Sequence, residues 1–107
     1  PCGTLFPYTT LFRSLAGKKD YQGLLDTGIY RCASLDTDGF IHCSTAGQVQ
    51  GVAERFYGGG AGMTLLEVEP LFLDVPLCYE QGADLDEEFP HVYGPIPRRA
   101  VVNVSPV

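Results

Sequence analysis

The chain is predicted to fold as one small α+β domain, and three observations carry that expectation. Val49, Val52, Ala53 and Phe56 recur at i, i+3, i+4 and i+7, the apolar stripe of an amphipathic helix. About five short apolar or β-branched runs accompany it, among them residues 29–33, 40–43, 63–68, 76–80 and 100–104. Strand and helix patterns do not alternate regularly, which excludes a doubly wound parallel sheet and favours a small mixed or antiparallel one. With 107 residues there is enough chain for a single two-layer core and too little for two.

Residues 1–14 match the rest poorly. Thr4-Leu5-Phe6 recurs as Thr10-Leu11-Phe12, and no helix or strand period spans the segment, although residues 8–12 have the aromatic and β-branched character of a short strand. The stretch also resembles translated sequencing-adapter read-through, as found at the starts of metagenomic reading frames. We therefore read residues 1–14 as artefactual or foreign and residues 15–107 as the single domain. Residues 15–25 read as a weak helix stopped by Gly28, and residues 34–39 as a polar connection with an Asp-Gly turn. Residues 40–43 read as the central strand.

Thr45 and Gln48 have capping-box spacing before the firm helix, which Gly58-Gly59-Gly60 terminates. Phosphate loops open a helix after a strand, whereas this glycine cluster follows one, so a C-cap and loop is the better reading. Residues 63–68 read as a buried strand, 71–74 as a turn or short strand, and 81–88 as a solvated acidic loop. Residues 89–97, with three prolines and a glycine, read as a fixed non-helical path.

The formal charge of −6 comes from 7 Lys+Arg against 13 Asp+Glu, with no basic stripe to neutralise nucleic-acid phosphates. The same charge disfavours a membrane surface, and no apolar run approaches the roughly 20 residues that span a bilayer. Cys2, Cys32, Cys43 and Cys78 contain no C-x-x-C pair, and no signal peptide is recognised. The thiols are expected to be reduced and the protein cytoplasmic. A zinc site from Cys32, His42, Cys43, Cys78 and His91 lacks a known spacing, so no metal is expected.

His42 shares a strand face with Phe40 and Ser44, and the strand leads towards a helix start at Thr45. Unpaired N–H groups and partial positive charge there would make an anion site, although plain helix capping explains Ser44 and Thr45 as well. His91 and Tyr93 lie two apart in the proline-braced segment. The two histidines of the chain thus each end a constrained stretch, which points to a shared pocket. Glu80 is the carboxylate retained as a base candidate. Arg31, Arg98 and Arg99 are cations that a phosphate would need, or else surface partners of the acids at 84–88.

Together, Tyr30-x-x-x-Ser34-Leu35, Asp38-Gly39-Phe40-Ile41-His42-Cys43-Ser44-Thr45, Gln48-Val49, Val52-Ala53-x-x-Phe56 and Phe89-Pro90-His91-Val92-Tyr93-Gly94-Pro95-Ile96 closely resemble the small bacterial family called domain of unknown function 952. The similarity spans about residues 23–104. It implies a fold similar to the ADP-ribosyltransferase superfamily, whose members include NAD-using transferases and RNA 2′-phosphotransferases. NAD, ADP-ribose or a related phosphorylated nucleotide then becomes the implied ligand or substrate.

By that resemblance Ser44 and Thr45 match the superfamily's serine motif, with His42 just before it. Family members begin with a strand carrying a Tyr-His pair, so the first strand is expected to be missing or replaced here. The superfamily's glutamate has no clear match beyond Glu80. The implied set is His42, His91 and Glu80 for catalysis and Ser44, Thr45, Tyr93 and Arg31 for ligand binding. An enzyme would be ADP-ribosyl- or phospho-transferase-like. The alternatives are a non-catalytic binding or interaction module, and a truncated fragment without activity.

Overall fold

The computed structural model describes residues 10–82 and 86–107. In chain order these form β1 (Phe12–Ala16), α1 (Lys18–Thr27), β2 (Ile29–Tyr30), α2 (Ser34–Thr37), β3 (Ile41–His42), α3 (Val49–Tyr57), β4 (Thr64–Val68), β5 (Leu77–Gln81), β6 (Glu88–Val92), β7 (Ile96–Pro97) and β8 (Val101–Pro106). Every strand pairing among the described residues is antiparallel. The α+β class expected from the sequence is therefore found, with no helix among the described residues long and apolar enough to cross a membrane.

The described residues form three sheets, ordered β1-β4-β8, β2-β7 and β3-β6-β5. A bridge between Arg13 and Ser44 sews the first to the third, with Arg13 N–H donating to the Ser44 carbonyl at 2.7 Å and Ser44 N–H to the Arg13 carbonyl at 2.8 Å. Ser44 thus sits at the seam between the two larger sheets. On one side of this surface Phe12, Tyr30, Ile41, Leu66, Val68, Val92 and Ile96 are all at most 1% exposed and form the core. Alternation along β1 buries Phe12, Ser14 and Ala16 there and turns Arg13 and Leu15 to the other side.

A first strand is present: residues 12–14, expected to be foreign, supply three of the five residues of β1 and register Phe12 against Val68. Period analysis failed here because five residues with one buried serine show no clear apolar alternation. The rest of the expectation, for residues 1–9, lies outside the described residues. The weak helix begins at Lys18 rather than Leu15, since Leu15 and Ala16 are drawn into β1; Gly28 ends it as expected, at φ 78°, with its N–H on the Leu24 carbonyl.

Residues 34–37 form a helical turn rather than an irregular connection, residues 70–72 a 3-10 turn, and the strand at 40–43 contracts to two residues at the edge of its sheet. The firm helix starts at Val49, not Thr45, and ends at Gly58 in the left-handed conformation. The expectation of reduced thiols fails at Cys78, which is disulfide-bonded, while Cys32 and Cys43 are free. Spacing along the chain does not reveal which cysteines a fold brings together.

The proline-braced segment contains strand, contrary to its reading as irregular path: Pro90 lies within β6, the middle strand of its sheet. A strand residue directs its N–H and C=O to the same side. The Pro90 carbonyl accepts from Cys43 N–H at 3.0 Å, so the donor that proline lacks faces the end of β3, where pairing stops anyway. Farther on, Gly94 has φ 156°, and a Cβ there would lie 2.5 Å from Val75 Cγ1. Gly94→Ala is expected to cost about 1–3 kcal/mol through overpacking. An unchanged urea midpoint would show that Val75 moves aside freely.

Candidate functional site

Antiparallel register places His42 directly opposite His91 across β3 and β6. Their ring centroids are 5.4 Å apart, edge to face. Both point away from the core, because their strand neighbours Ile41 and Val92 are the residues that face it. The shared location inferred from two constrained histidines is therefore real, and the reason is strand register.

Each imidazole is backed by a carboxylate. His42 Nε2 lies 2.7 Å from Asp38 Oδ2, and His91 Nδ1 lies 2.9 Å from Glu80 Oε1. A carboxylate accepts, so in the neutral rings the proton sits on His42 Nε2 and on His91 Nδ1, leaving His42 Nδ1 and His91 Nε2 with lone pairs. Tyr93 Oη donates to the same Glu80 oxygen at 2.5 Å. Phe40 stacks on His91 at 4.0 Å and 21°, and lies 4.7 Å from the His42 ring and 5.2 Å from Tyr93. One phenyl ring thereby contacts all three of the other site rings.

The protonation states follow from this packing. Burial pushes His91 below its ordinary 6.5, against the opposing pull of Glu80. The Tyr93 hydrogen bond, helped by His91, holds Glu80 below its ordinary 4.5, and the same bond pushes Tyr93 up to about 12. Both His91 and Glu80 bind protons more weakly folded than unfolded, so their stabilisation is full above 6.5 and above 4.5 respectively. It is lost as pH falls through each folded value. Urea midpoints are accordingly expected to fall from about pH 7 towards about pH 4, and His91→Gln should flatten the upper part of that decline. A flat wild-type profile would contradict the assignment.

The histidines open into a cleft of ≈ 400 Å³, within the usual size of small-molecule sites. Ser44 and His91 form its polar floor with His42, while Leu15 from β1 and Phe89 from β6 flank them. Val52, Phe56 and Tyr57 of α3 supply the facing apolar wall. Phe56 was expected on a core-facing stripe, but it is 56% exposed and only Ala53 of that stripe is buried. Helical periodicity identifies an apolar face without saying whether a core or a cleft lies beneath it.

The other expected site residues are distributed as follows. Ser44 lines the cleft. Thr45 does not: its N–H donates to Gln48 Oε1 at 3.0 Å, the reciprocal half of a capping box, and three turn residues separate it from α3. Gln48 Nε2 then donates to the Glu88 carbonyl at 2.8 Å and Glu87 Oε2 at 3.3 Å, tying the helix start to acidic chain. The anion-binding helix start expected after Ser44 is therefore not formed in that way.

Tyr93 and Glu80 stand behind His91, outside the cleft lining. Arg31 is exposed and pairs with Asp36 at 3.8 Å, and Arg99 pairs with Asp74, so neither uses the acids at 84–88 as expected. Among the described residues no group of three or more His, Cys, Asp or Glu side chains could hold a metal ion. Sequence reasoning missed Asp38, read only as a turn residue, and the stacking role of Phe40. The i, i+2 spacing of Phe40 and His42 was the one available signal for the latter.

A small antiparallel α+β domain with a carboxylate-backed histidine pair in a half-apolar cleft is thus the class of molecule at hand. The profile of the family described as "Protein of unknown function (DUF952)" matches residues 15–104, and the chain belongs to that family. It is similar to the crystal structure of protein CC0527 from Caulobacter crescentus, with 28% identity, a TM-score of 0.79, and 91% of this chain and 85% of that one covered. The solution NMR structure of CC0527 aligns at 25% identity and a TM-score of 0.72, covering 91% and 84%. No curated protein matches the chain.

Proposed function

We propose that the cleft binds a nucleotide-type ligand of the NAD or ADP-ribose class, on a fold of ADP-ribosyltransferase type. The observation that carries the reading is the cross-strand His42–His91 pair opening, with Ser44, onto an apolar and aromatic wall. Such a ligand pairs a flat ring, suited to Phe56, Tyr57 and Phe89, with hydroxyls that the histidine nitrogens and the serine can meet. Arg31 and Thr45 are not needed for it. No cofactor enters the proposal; NAD would be ligand or substrate.

A transferase-like reaction is the second reading, and one feature favours it. His91 is held neutral, with its lone pair on Nε2 and its Nδ1–H on Glu80, the arrangement of a general base oriented by a carboxylate. Here Glu80 is a positioning residue rather than the base itself.

The experiment is calorimetric titration of NAD, ADP-ribose and a 2′-phosphorylated nucleotide into the full chain and into His42→Ala and His91→Ala. Saturable binding of one of them that weakens in both variants supports the proposal. Absence of binding by all three would refute it.

A further inference from the structure

We infer that the histidine end of the cleft accepts an uncharged, hydroxyl-bearing group, the sugar of a nucleoside, and rejects phosphate. The inference rests on the binding role just proposed and decides which part of the ligand reaches His42 and His91.

Charge is the first ground. Among the described residues no Lys or Arg lines the cleft. Arg13, beside Ser44 in the seam, is committed to Glu67 Oε2 at 3.7 Å and to the Leu11 carbonyl at 3.3 Å. The acids nearby stand against anions: Asp38 and Glu80 each lie within hydrogen-bond distance of a cleft histidine, one ring away from any ligand atom. Gly82, also in the lining, is held to the carbonyl of Glu87 at the acidic connection. A phosphate would enter this end with no fixed positive charge to meet and two carboxylates within the range over which like charges repel in a partly dry site.

Hydrogen-bond polarity is the second ground. His91 is 5% exposed, its Nδ1 is occupied, and its Nε2 has no partner among the described residues. Ser44, 4% exposed, likewise has no side-chain partner there. No buried side-chain nitrogen or oxygen among the described residues lacks a partner, so these two atoms reach the cleft surface, and its lining offers an acceptor together with a hydroxyl that both donates and accepts. A sugar hydroxyl satisfies both, donating to Nε2 and accepting from Ser44 Oγ, whereas a phosphate dianion has no proton for Nε2. Burial keeps His91 in the neutral form that this match requires.

The test follows the imidazole nitrogen and proton signals of His42 and His91 in the full chain at about pH 7.5, above the ordinary histidine range. Probes are ADP-ribose, nicotinamide riboside, adenosine and inorganic pyrophosphate. ADP-ribose and at least one nucleoside are expected to shift both histidines, while pyrophosphate at about tenfold higher concentration leaves them unmoved. In Glu80→Gln, which keeps an acceptor but removes the charge, discrimination against pyrophosphate should shrink about tenfold.

Pyrophosphate that shifts the histidines overturns the inference and leaves the binding proposal standing. The same holds if ADP-ribose binds while neither nucleoside moves the histidines, or if Glu80→Gln discriminates as strongly as the native chain. Silence towards ADP-ribose and both nucleosides removes the binding proposal and this inference together.

Discussion

Phe12→Ala is expected to lower the unfolding free energy by about 3–5 kcal/mol, the usual cost of deleting a buried phenyl ring. Phe12 is 0% exposed and belongs to the same cluster as Tyr30, Leu66 and Val68. It also opens β1, which pairs with β4 through five residues and, at Arg13, with Ser44. Loss of the ring therefore removes apolar burial and loosens the seam on which the cleft stands. The urea midpoint should drop sharply, with little change in the slope of the transition. A variant as stable as the native chain would show that residues 12–14 are dispensable to the fold, as their sequence suggested.

His91→Ala is expected to weaken ADP-ribose binding about tenfold to a hundredfold, since it leaves a ligand donor unmatched in a buried site. Glu80→Ala should produce a large share of the same loss although Glu80 does not line the cleft. It fixes the tautomer and the rotation of the His91 ring, and with the carboxylate gone both become free. Because the two act through one nitrogen, the double variant should bind no worse than His91→Ala alone. Calorimetry on the native chain, both single variants and the double variant closes the cycle. Additive losses would mean that Glu80 contributes to binding independently of His91.

The two histidine-containing strings show how far residue order leads. Their constraint is legible: Gly39 turns the chain into one, Pro90 stiffens the other, and the coincidence of two constrained histidines is enough to suggest one shared pocket. What joins them is register, a non-local property, so residue order does not reveal their partners. Asp38 sits four residues before His42 and looks like a turn residue, while Glu80 lies eleven residues before His91 on another strand. Thr45 and Arg31 fail as cleft residues for the converse reason, since local interactions with Gln48 and Asp36 satisfy them first.

Sequence by itself determined the α+β class, the helix that Gly58 ends, a strand within residues 63–68 and another over residues 100–104, the stops at Gly28 and Gly58, and the family. Each of these follows from local periodicity, local backbone preference or a continuous motif, and needs no knowledge of what packs where. Tertiary structure alone decided that residues 12–14 pair as part of β1, that Pro90 sits inside a strand, that Phe56 faces a cleft, and that Glu80 serves His91. Those outcomes depend on which side of a sheet is covered and which strand lies alongside, and chain segments far apart in sequence settle both.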